Sequence, residues 1–131
     1  MVKQLLKIEP DLSFTLLGVG CHLKDYRFAW TLNNILKTQY YKTDPLVIDK
    51  TNSTFSKYHF QSDIDHTYIL ANKSHQGYLV PKKKNVDYWL VLQLGFDLET
   101  RNQLIKLIRQ SDSILTVFEE NDKKIKEQFL F

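Results

Sequence analysis

The longest run of apolar residues in the chain is Tyr88-Trp89-Leu90-Val91-Leu92-Gln93-Leu94, apolar on both alternating faces except at Gln93. Successive side chains leave a strand in opposite directions, so such a run needs apolar neighbours on both sides. The pattern predicts an interior strand, and the flanking segments read as elements arranged about it. Phe14 to Cys21 is the first strand, with Gly18 and Gly20 predicting a bulge or the close approach of another backbone. Asp25 is the expected N-cap of a helix from Tyr26 to Lys37. Phe28, Ala29, Leu32, Ile35 and Leu36 form its core stripe, and Tyr26, Trp30 and Asn33 a second stripe beside it.

Lys42 to Asn52 reads as a connector turning at Asp44-Pro45, with Leu46-Val47-Ile48 as a short strand within it. Strands at Phe55–Gln61, Thr67–Asn72 and Gly77–Val80 follow at close spacing. Ser62-Asp63-Ile64-Asp65 and Lys73-Ser74-His75-Gln76 are the turns between them, which makes an antiparallel meander. Within Phe55–Gln61, Tyr58 and Phe60 share one face and Lys57 and His59 the other. After the long apolar strand, Asp97 caps a helix from Leu98 to Gln110 whose buried face is Leu104, Ile105 and Ile108. Ile114 to Phe118 is the last strand. Residues 1–13 are a lead-in interrupted by Pro10.

Strand-helix-strand at each end with a meander between them predicts an α+β fold. The expectation is a two-layer sandwich, a mainly antiparallel sheet with two helices on one face, in a ferredoxin-like or ACT-like arrangement. A length of 131 residues fits one domain over 1–131. Residues 119–131 form a charged tail ending in Phe129-Leu130-Phe131, an apolar segment expected to dock.

Composition narrows the function classes. The net charge of +3 is modest and mostly interspersed, which disfavours a nucleic-acid partner. A single cysteine excludes an internal disulfide framework. No apolar run approaches the roughly 20 residues of a membrane span, so no membrane partner is expected. Lys7 and Glu9 fall where a signal peptide would continue its apolar core, which points to the cytoplasm.

Candidate chemistry is sparse. Gly18-Val19-Gly20 lacks the third glycine of a dinucleotide fingerprint, Leu23 standing in its place, so a strand bulge is the better reading. Cys21 and His22 are neighbours on a strand and diverge, which argues against a thiolate-imidazole pair. His59 and His66 approach each other across a hairpin, but a structural zinc site needs four ligands. Asp63 and Asp65 lack the remaining ligands of a calcium loop. No metal, cofactor or catalytic residue is expected. Lys82-Lys83-Lys84 is the one concentrated charge, read as solvated. Its neighbours Tyr78, Tyr88 and Trp89 leave a weak RNA-binding reading as third choice. Asp87 is expected to accept backbone hydrogen bonds rather than to do acid-base work.

The segment Val80-Pro81-Lys82-Lys83-Lys84-Asn85-Val86-Asp87-Tyr88 resembles the signature of the bacterial IPExxxVDY family. Pro81, Val86, Asp87 and Tyr88 match it, Val80 replaces the isoleucine, and Lys82 stands where the family has glutamate. The layout is also similar: a strand and a Tyr26-Arg27 helix first, the motif in mid-chain, strand-helix-strand last. The resemblance implies a small protein and brings no catalytic assignment; a catalytic role for the family glutamate would be missing here.

These readings converge on a non-catalytic interaction module, protein-binding or self-associating. Its expected surface combines Tyr26, Trp30 and Asn33 with the motif residues Pro81, Lys82, Lys83, Lys84, Asp87 and Tyr88. The competing reading covers Trp30 with the lead-in or the tail. A small-ligand-sensing, ACT-like regulatory domain is the alternative function, and an enzyme ranks last.

Overall fold

The structure, a computed structural model, describes residues 11–61, 66–93 and 97–130. Most of the lead-in, the Ser62–Asp65 turn, Gly95-Phe96 and the terminal Phe131 lie outside the described residues. The strands are β1 (Thr15–Cys21), β2 (Tyr41–Ile48), β3 (Ser53–Gln61), β4 (His66–Ala71), β5 (Lys73–Ser74), β6 (Gly77–Tyr78), β7 (Tyr88–Leu92) and β8 (Ile114–Glu119). The helices are α1 (Asp25–Leu36), α2 (Leu98–Arg109) and α3 (Lys123–Glu127). A 3-10 turn occupies Pro81–Lys83.

Six strands form one sheet in the order β2-β3-β4-β7-β1-β8, every adjacent pair antiparallel. The long apolar run becomes β7, lying between β4 and β1 and buried along its whole length. β7 and β8 flank β1 and are joined through α2, a split β-α-β unit. The order β4-β7-β1-β8 with α1 and α2 is the ferredoxin-like arrangement, and β2 and β3 extend it beyond β4. The fold is therefore α+β with a mainly antiparallel sheet, as the element pattern implies.

Each face of the sheet has its own core. On one face, Phe28, Ala29 and Leu32 of α1 and Ile108 of α2 pack with Leu17, Val19, Ile69, Leu90 and Val117. On the other, Leu16, Leu70, Trp89 and Val91 are covered by Val80, Val86, Ile125 and Phe129. Loop and tail thus do for the second face what two helices do for the first. Asp122 caps α3, accepting from Lys124 N at 2.9 Å and Ile125 N at 3.2 Å. Phe129 then docks with its ring 5.4 Å from that of Trp89.

Several boundaries differ from the sequence reading. Asp25 is the first residue of α1, and its carboxylate accepts only from the adjacent Tyr26 N; Lys24 is the N-cap and has no side-chain oxygen to offer. Asp44-Pro45 is not a turn between elements. It sits at a register shift within β2, an edge strand, where the missing proline N–H faces no ladder partner. Gly77–Val80 does not continue the meander: Gly77-Tyr78 pairs with Lys73-Ser74 in a separate hairpin. By contrast Asp97 caps α2 as expected, accepting from Thr100 N at 2.7 Å.

The register of β1 against β8 shifts between Gly20 and Cys21, but the extra residue is Leu115 on β8, so the bulge belongs to β8 and not to β1, and it is side chains that approach the glycines most closely. A Cβ on Gly18 would lie 2.6 Å from the Phe118 ring, and one on Gly20 would lie 2.8 Å from Thr116 Cγ2. Both glycines are there for close approach across the sheet.

Candidate interaction surface

The motif loop is built around Asn72, a fully buried residue just past β4. Its Nδ2 donates to Lys83 O at 2.9 Å and Val86 O at 2.8 Å. Its Oδ1 accepts from Val80 N and from Trp89 Nε1, each at 2.9 Å. Two donors and two lone pairs are all an amide side chain has, so Asn72 is saturated. Its backbone adds bonds to Asp87 O at 3.0 Å and from Leu79 N at 2.7 Å. The loop between these anchors turns at Pro81, whose fixed φ and missing N–H suit the first position of the 3-10 turn.

Asp87 closes the loop onto β1. Its N–H donates to Val19 O at 2.8 Å, and its Oδ2 accepts from Cys21 N at 2.9 Å. Cys21 lies past the last pair of the β1–β7 ladder, Val19 with Tyr88, so the carboxylate gives its N–H the acceptor that a continued strand would have supplied. Tyr88 is buried with its ring stacked on Phe28 at 4.5 Å and 8°, its hydroxyl donating to Leu23 O. Burial first, and then the neighbouring acidic groups, push its ionisation far above the usual tyrosine range.

The three lysines divide. Lys82 is exposed. Lys84 Nζ lies over the Tyr78 ring at 5.6 Å. Lys83 is not merely solvated: its Nζ is 3.4 Å from Oε1 of the buried Glu120 and 5.4 Å from the Phe118 ring centre. It ties the motif loop to the chain just past β8, because a buried carboxylate needs a counter-charge.

On α1 the expected stripe also divides. Asn33 is committed to the helix-to-β2 turn: its Oδ1 accepts from Tyr40 N at 2.7 Å and Thr38 Oγ1 at 3.0 Å, and its Nδ2 donates to Tyr40 O at 3.2 Å. Tyr26 and Trp30 remain 61% and 60% exposed. Neither described lead-in nor tail covers Trp30; the tail docks on the opposite face. The Arg27 guanidinium lies 5.9 Å from the Trp30 ring centre. Val80 and Val86 of the motif segment lie in the core on the face away from α1, while Tyr88 packs on α1 itself, so the segment serves both cores.

The remaining candidates are quiet. Cys21 is buried and its thiol pushed up by burial, while His22 next to it is exposed. Among the described residues no group of three or more His, Cys, Asp or Glu side chains converges as a metal site. A depression of about 600 Å³ lies between the β5–β6 hairpin and β2–β3, lined by Lys42, Pro45, Thr54, Ser56, Lys73 and His75.

Two residues escaped the sequence reading. An asparagine at a strand end before Lys73-Ser74 is an ordinary turn signal, and nothing local distinguishes Asn72 as a hub. Glu120 reads as one more tail charge, and only the fold buries it. No protein-family model matches the chain, and no curated protein matches it.

Proposed function

We propose that the chain is a non-catalytic protein-interaction module that binds its partner through the outward face of α1. One observation carries this reading: Tyr26 and Trp30, one helical turn apart, stay exposed on a helix whose Phe28, Leu32 and Leu36 pack on the sheet. Ordered aromatics with a polar tip bury large area on binding and keep a hydrogen bond, as binding hot spots do. The exposed Lys24, Arg27 and Lys37 flank them, while Asp25 faces Lys42 at 3.9 Å. The partner surface that complements them is an apolar cleft with an acidic rim. Membership of the IPExxxVDY family belongs to the same proposal, with Pro81, Val86, Asp87 and Tyr88 serving the fold rather than the surface.

The test is Trp30→Ala, assayed together for folding stability, for solution mass and for affinity capture from the native cell. The expected outcome is stability within about 0.5 kcal/mol of the parent and loss of a specifically captured protein. A stability loss of several kcal/mol with capture unchanged would overturn the reading. A discrete oligomer that Trp30→Ala dissolves would make the partner a second copy.

The second reading, a small-ligand-sensing ACT-like domain, draws on the ferredoxin-like strand order and the lysine-lined depression beside β5–β6. A strong thermal shift by one class of anionic metabolite, abolished by Lys73→Ala, would favour it. Of the aromatics in the RNA reading, Tyr88 and Trp89 are buried, which leaves it the half-buried Tyr78 beside Lys84.

A further inference from the structure

The register of β3 and β4 sets His59 opposite Tyr68 and Gln61 opposite His66, so the two histidines are diagonal neighbours on the face away from α1 and α2. Diagonal side chains of this length reach one another. His59 Nε2 lies 3.0 Å from His66 Nδ1. The ring planes differ by 4° with centroids 5.2 Å apart, the separation of two rings meeting edge to edge rather than face to face. The other His59 nitrogen, Nδ1, is 3.0 Å from the Tyr41 hydroxyl, and the Tyr68 ring stacks on His59 at 4.8 Å and 15°. His59 is therefore oriented from two sides while one nitrogen is aimed at its partner.

We propose that His59 and His66 chelate one divalent transition-metal ion, copper(II) ahead of nickel(II), with water in the remaining positions. Imidazole nitrogens bind such ions at about 2.0–2.1 Å. Two nitrogens 3.0 Å apart then subtend roughly a right angle at the ion, the cis arrangement of a tetragonal copper or nickel site. A tetrahedral zinc ion would need them about 3.3 Å apart. Binding asks for a modest swing of each ring and one tautomer change. His59 keeps its proton on Nδ1, donated to the Tyr41 oxygen, which leaves Nε2 free; His66 carries its proton on Nε2, which leaves Nδ1 free. No net proton is gained or lost. An anchored remote nitrogen is the usual support of a metal-bound histidine. Lys57, with its Nζ 5.9 Å from the Tyr68 ring centre, is the nearby cation that opposes the ion. Tyr41 is 54% exposed, so the site opens to solvent and stands apart from the Tyr26–Trp30 face.

The experiment uses the full chain and copper(II) alone, added at sub-stoichiometric ratio while the four histidine ring resonances are followed by NMR. The expected result is preferential paramagnetic broadening of His59 and His66 over His22 and His75, saturating at one ion per chain. Tyr41→Phe should weaken copper binding about 10-fold at unchanged stoichiometry. His59→Gln and His66→Gln, each checked for folding, should each abolish the site, while His22→Gln with His75→Gln should leave it intact. Equal or earlier broadening of His22 or His75, no broadening at all, or copper binding that survives loss of both His59 and His66 would overturn the proposal. The wild-type measurement decides even where a variant fails to fold.

Discussion

Asn72 makes four side-chain hydrogen bonds with no solvent to replace any of them. Removing the amide leaves Val80 N, Trp89 Nε1 and Val86 O without their partner, while Lys83 O keeps its bond from Val86 N at 3.0 Å. Each unsatisfied buried group costs about 1–3 kcal/mol. Asn72→Ala should therefore destabilise the protein by roughly 3–5 kcal/mol in urea denaturation, among the largest single-residue effects in the chain. A loss under about 1 kcal/mol would mean that water enters and takes over the bonds, and that the loop has another anchor. Asp87 works by the same physics at smaller scale, supplying an acceptor to Cys21 N past the end of the β1–β7 ladder.

Among the elements, β7 sits where the two cores meet: Leu90 and Leu92 belong to the helix-side core, and Trp89 and Val91 to the other. Leu92→Ala should cost roughly 2–5 kcal/mol, the price of a cavity in a strand covered on both faces. Chemical denaturation checks it, and a loss below about 1 kcal/mol would contradict the interior position. The C-terminal segment is the second informative element. α3 is too short to be stable alone, and is held by the Asp122 cap, by Lys126 Nζ donating to Leu12 O at 2.6 Å, and by buried Ile125 and Phe129. Phe129→Ala should cost roughly 3–5 kcal/mol and change the Trp89 fluorescence, because it uncovers that ring. Unchanged stability and emission would make the tail an accessory.

At the scale of the molecule, the sheet separates two kinds of surface. The motif loop and tail close one face, so the residues of the signature are spent on folding: Val80, Val86 and Tyr88 are buried, and Asp87 is bonded to β1. The opposite side leaves Tyr26 and Trp30 on the outside of α1, where the Trp30→Ala experiment reads partner binding with little change in stability. Separate placement of the histidine pair makes a second expectation: copper occupancy should not alter partner capture, as the two surfaces share no element.

What the sequence determined by itself was local. The two-sided apolar run of Tyr88–Leu92, the helical stripe of Phe28 and Leu32, and the Asp97 cap are written in spacings of two to four residues, set by backbone geometry alone. The acceptor role of Asp87 was legible for the same reason, whereas the bulge expected of β1 falls on β8 at Leu115. The tertiary structure decided how distant residues meet. It buried Val80 and Val86 on the face away from α1, kept Pro45 inside an edge strand, and gave Asn72 partners 8 to 17 residues away. The approach of His59 and His66 was legible in the sequence, but strand register fixed which of their nitrogens meet. Periodicity says that a side chain leaves its element on a given face, but what meets it there depends on strand order and register, which long-range packing sets.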